Sequence, residues 1–110
     1  MAFKLIKRNK LRVPVKGSIA DEDGNQVKFD FVLLCKRLNQ TEIDAMLKDK
    51  DSSVREFLHN VTEGWETVQA EDGEPLSFSS DNLASVLEQP GMHTVCFGAY
   101  LKEVGAVAKN

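Results

Sequence analysis

Side chains able to do chemistry fall into a few small groups along this chain. Glu63, Glu66, Glu71, Asp72 and Glu74 crowd around Trp65. Two facing carboxylates could hold and release a proton in acid–base work. Carboxylates this dense beside a turn read instead as solvated surface. Asp21, Glu22 and Asp23 offer oxygens to a hard cation, yet the ligand ladder and closing Glu of a calcium loop are missing. His59 and His93 each lack a second ligand at metal spacing. Ser77, Ser79 and Ser80 have no GxSxG elbow around them and stand where a helix needs a cap. Gly73 and Gly91 stand alone, so no glycine-rich phosphate loop is present. Cys35 and Cys96 form no CxxC or Cys/His cluster and read as two buried free thiols in a reducing compartment. These residue types predict no catalytic residue, no metal site and no cofactor.

Lys4, Lys7, Arg8, Lys10, Arg12 and Lys16 make a basic N-terminal band that could contact phosphates. The chain as a whole carries a net charge of −3, which weighs against phosphate neutralisation as its main task. A nucleic-acid-binding or regulatory module built on this band is the alternative functional reading. A hydrolase built on the acidic patch ranks below it.

The elements that would position these groups follow from the apolar spacing. Phe3 to Ile6 suggests a short strand. Leu11, Val13, Val15 and Ile19 then share one face of an extended run, with Arg12, Lys16, Ser18 and Pro14 on the other. Pro14 suits an edge strand or a bulge. After the polar turn Asp21–Asn25, Val27, Phe29, Phe31 and Leu33 alternate in the same way, so the two runs predict an antiparallel hairpin. Asn39 with Glu42 has the pattern of a capping box, and Ile43, Met46 and Leu47 follow at helical spacing. A second short helix, capped by Asp51 or Ser52, carries the stripe Val54, Phe57, Leu58 and Val61.

Gly64–Ser79 is the hinge of the chain. Its Asp-Gly turn and Pro75 are flanked by Trp65, Leu76 and Phe78, which are expected to pin the turn to the core. Gly73 and Pro75 shape the turn itself. Ser79 or Ser80 should cap a third helix from Asp81 to about Glu88, stopped by Gln89-Pro90-Gly91. The last helix, from about Gly91 to Ala106, has an apolar arc too wide for an ordinary surface helix. Either it is buried from several sides or it packs on another subunit. Phe97, Tyr100, Leu101 and Val104 are the candidate partner-binding residues on it.

At 110 residues this reads as one domain, residues 1–110, long enough to build a core without metal or disulfide staples. Strands are expected over about 3–35 and helices over about 40–61 and 80–106. The predicted class is α+β: an N-terminal antiparallel hairpin or small sheet, followed by about four helices packed on one of its faces. The N-terminus lacks a signal-peptide core, and no apolar run approaches the ~20 residues of a membrane span. A cytoplasmic protein is expected.

One combination is more specific than its parts. It comprises Gly64-Trp65-Glu66, Asp72-Gly73-Glu74-Pro75-Leu76-Ser77-Phe78-Ser79, Asn82-Leu83, Gln89-Pro90-Gly91, Ala99-Tyr100 and the terminal Ala108-Lys109-Asn110. With the Phe-Lys-Leu opening, the Val-Pro-Val strand and Lys36-Arg37-Leu38 before the Glu42 helix, it covers nearly the whole chain. It resembles the tail assembly chaperones of long-tailed phages and prophages. Where Ser is expected at the first helix cap, this chain has Asn39. The resemblance implies a non-enzymatic protein of the host cytoplasm that binds the tape-measure protein and helps recruit tail-tube subunits, with self-association of the chain as a further expectation. It also implies two forms of the protein, the longer made by a −1 ribosomal slip near the end of the gene. Ala108-Lys109-Asn110 can be written with the slip-prone codons GCA-AAA-AAC.

Overall fold

The period-two alternation of the N-terminal third is what the backbone follows. The computed structural model describes residues 2–3, 5, 9–48 and 53–106. In it, β1 (Lys10–Ala20) and β2 (Gln26–Lys36) form an antiparallel hairpin in which Val13 faces Leu33 and Val15 faces Phe31. Asp21 shapes the connecting turn by accepting the backbone N–H groups of Asp23 (2.9 Å) and Asn25 (2.8 Å) on one carboxylate oxygen. Arg37 N–H to Asn9 C=O (2.7 Å) and Asp21 N–H to Asn25 C=O (2.9 Å) continue the ladder at its two ends, in phase with the odd residues of β1. The even residues of β1 therefore turn their backbone groups to the free edge. Pro14 is one of them, so its missing N–H costs no ladder bond.

The expected strand at Phe3–Ile6 is not formed at Phe3 or Leu5, and Lys4 and Ile6 lie outside the described residues. A strand comes later instead. β3 (Thr62–Glu66) follows α2 (Val54–Val61) directly and pairs antiparallel with β2, so the sheet order is β1-β2-β3. A register shift at Leu34/Cys35 accommodates it.

Helix starts are set by local side chains. Asn39 and Glu42 close a reciprocal capping box ahead of α1 (Gln40–Lys48), at 2.8 and 3.0 Å. Ser53 caps α2; Asp51 and Ser52, expected in that role, lie outside the described residues. Ser79 caps α3 (Ser80–Leu87). Gly91, in the left-handed region at φ 80°, turns the chain into α4 (Met92–Val104). The fold is α+β as expected, with a three-stranded antiparallel sheet and four helices among the described residues. α4 lies on β1, and α2 and α3 pack beside α4. The core joins Val13, Val15, Leu33 and Cys35 of the sheet to Phe57, Leu58, Leu83, Leu87, Cys96 and Tyr100.

Candidate functional site

Of the four residues proposed on α4, the structure keeps one at the surface. Tyr100 is fully buried, which corrects its assignment as a contact residue. Its hydroxyl donates to the Lys36 carbonyl (2.8 Å) and accepts the Leu38 N–H (3.2 Å), tying the helix to the end of β2. Its ring meets Phe57 edge-on at 5.5 Å. Phe97 is half-buried against the same Phe57 (5.2 Å), and Val104 is half-buried at the helix end. Leu101 is 36 % exposed. Val95, not proposed from the sequence, is exposed to a similar degree, with Gly98 on the same outward side. The wide apolar arc is therefore explained by burial from several sides. Only a thin line along the helix remains for a partner.

A second apolar surface, a concavity, lies at the tip of the hairpin. Eleven strand residues span about 36 Å, whereas the thirteen residues of α4 span about 20 Å, so the hairpin outruns the helix that covers it. Beyond that cover, Ile19, Phe29, Phe31, Val68, Val86 and Met92 line an open groove of about 630 Å³. Glu71 stands at its rim, and Lys28 and Asp30, whose alternation in β2 turns them to the other face of the sheet, border it along the strand. The tip of the Phe29 ring lies over Gly17, where a Cβ would come within 2.6 Å of it, so glycine there leaves room for the ring.

The loop after β3 forms the other wall. Val68 C=O accepts from Leu76 N–H (2.9 Å), Glu74 C=O from Ala70 N–H (2.8 Å), and Gln69 bridges Pro75. Gly73 at φ 87° makes the reversal between them. Trp65 holds this loop by donating its indole N–H to Leu76 C=O (2.8 Å) and packing edge-on against Phe78 (5.1 Å). Trp65, Leu76 and Phe78 thus pin the turn as expected, but all three are half-buried. Thr67, at the start of the wall, has φ 61°, a strained conformation for a β-branched residue.

Sequence reasoning placed Ile19 and Phe29 on the covered face and missed the groove. The available signal was the mismatch between strand length and helix length. Among the described residues no cluster of His, Cys, Asp and Glu could hold a metal ion, and His59 and His93 sit on different helices. Cys35 and Cys96 are free and buried, and burial pushes their thiols up to about 11 and about 12, far from a reactive thiolate. No described helix is long and apolar enough to cross a membrane. In comparisons with known proteins, no family model, no curated protein and no solved structure matches the chain.

Proposed function

We propose that this chain is a non-enzymatic tail assembly chaperone that binds the tape-measure protein and helps recruit tail-tube subunits. The observation that carries the reading is the groove. It is an open apolar trough whose size lies within the ~300–1,000 Å³ range of specific pockets, with Glu71 at its rim, in an acidic chain. A long helical partner with apolar stripes could lay part of a stripe there, and the acidic exterior would keep the complex in solution. The outward line of Val95 and Leu101 on α4 gives a second, weaker contact.

Co-expression with a tape-measure protein from the same gene neighbourhood tests this. The wild-type chain should hold that protein in the soluble fraction, and Phe29→Asp should release it to the pellet while the variant itself stays folded. Leu101→Glu should have a smaller effect. Solubility unchanged by both substitutions together, or a gene neighbourhood without tail-tube and tape-measure genes, would overturn the proposal.

A further inference from the structure

The middle strand is apolar on both faces. Phe31, Leu33 and Cys35 enter the core, while Val32 and Leu34 between them point to the side of the sheet that no described helix covers. An unbroken run of this kind is what a strand carries when both faces are covered. Pro14 stands opposite Val32 and Gly64 opposite Leu34; the two aliphatic groups are half-buried, and the Arg12–Glu66 ion pair reaches across β2 beside them.

Charge is sorted between the two sides of the molecule. The outer face carries five cations, Lys10, Arg12, Lys16, Lys28 and Lys36, against Asp30, Glu66 and, at the register shift, Glu63. The other described residues carry four cations and twelve carboxylates. Arg12 is paired with Glu66 and Lys16 stands opposite Asp30, but Lys10 stands directly opposite Lys36. Like charges facing each other across a strand pair cost stability unless an anion joins them.

We propose that this outer sheet face is a second docking surface, for an acidic amphipathic segment of a protein partner. Its aliphatic side chains would cover Val32 and Leu34, and its carboxylates would pair with Lys10, Lys36, Lys16 and Lys28. Nucleic acid fits less well because the centre of the face is aliphatic and offers bases no aromatic ring to stack on. Two such faces packed together would oppose their own lysines. The surface lies across the sheet from the groove, and the inference stands independently of what the groove binds.

The test uses a synthetic amphipathic peptide with Leu on one face and Glu on the other, titrated into the labelled chain. A Lys-for-Glu counterpart peptide and a DNA duplex serve as comparisons. The expected result is binding of the Glu peptide alone, with methyl shifts at Val32 and Leu34 rather than at Ile19. Binding should weaken with salt, and by about tenfold or more in Lys10→Glu/Lys36→Glu. Unchanged melting of that variant would show that the loss is not unfolding. The proposal is overturned by comparable binding of the Lys peptide or the duplex, by shifts confined to the groove, by self-association of the chain alone, or by no binding.

Discussion

The two ends of the hairpin share one strand pair and one alternation of side chains, yet they differ in everything that lies above them. At the base, Val13, Val15, Leu33 and Cys35 are sealed beneath α4, and Tyr100 bolts the helix to the last residues of β2 through two hydrogen bonds. At the tip, Ile19 and Phe29 keep the same inward orientation but have only a strained loop and the helix junction beside them. The same pattern yields core where a helix reaches and an open groove where it does not. Stability should therefore reside at the base and partner affinity at the tip.

Alkali should break the base most completely. Burial raises the Cys35, Cys96 and Tyr100 ionisations, so the folded state binds protons that the unfolded chain releases. The stabilisation from keeping the thiols neutral is complete below their ordinary value near 9. It is lost as pH rises from there through about 11 and about 12. Denaturant midpoints measured across that window should fall steeply; a flat profile would show the thiols to be accessible in the folded state. Iodoacetamide at neutral pH should leave both cysteines unmodified until the protein is unfolded.

Leu33→Ala should cost about 3–4 kcal/mol, because it empties a fully buried site in the core. Phe29→Ala at the tip should cost less than half of that in the same urea titration. Equal losses would mean that the tip is as well packed as the base. Trp65→Ala falls between them, at about 2–3 kcal/mol, since the half-buried ring also loses its bond to Leu76. Its further signature should be faster proteolysis within residues 67–76.

Tyr100→Phe removes only an oxygen but leaves the Leu38 N–H without its partner, at a cost of about 1–2 kcal/mol. Slower thermal unfolding of this variant than of wild type would contradict the tie. The smallest change has the opposite sign. Thr67→Gly should relieve strain at φ 61° and stabilise the fold by up to about 1 kcal/mol, offset in part by glycine's greater unfolded-state entropy. If strain in this wall shapes the groove, the same variant should bind its partner more weakly despite melting higher.

What the sequence determined by itself is whatever depends on near neighbours. Alternation fixed which residues of the hairpin face inward, the Asn39–Glu42 pair and the Ser79-Ser80 pair marked helix starts, and Asp72-Gly73 and Gln89-Pro90-Gly91 marked a turn and a helix stop. Trp65, Leu76 and Phe78 were legible as the clamp on the turn. β3 was not, since Thr62-Glu63-Gly64-Trp65-Glu66 contains a glycine and two glutamates and becomes a strand only because β2 offers a free edge. Tyr100 could not be told from its exposed neighbour Leu101 by spacing, for both fall within one broad apolar arc of α4. Burial was decided by where Phe57 and the end of β2 stand in space. The groove, too, belongs to tertiary structure: a strand gains about 3.3 Å per residue and a helix about 1.5 Å, so the residues left uncovered depend on how the two are stacked.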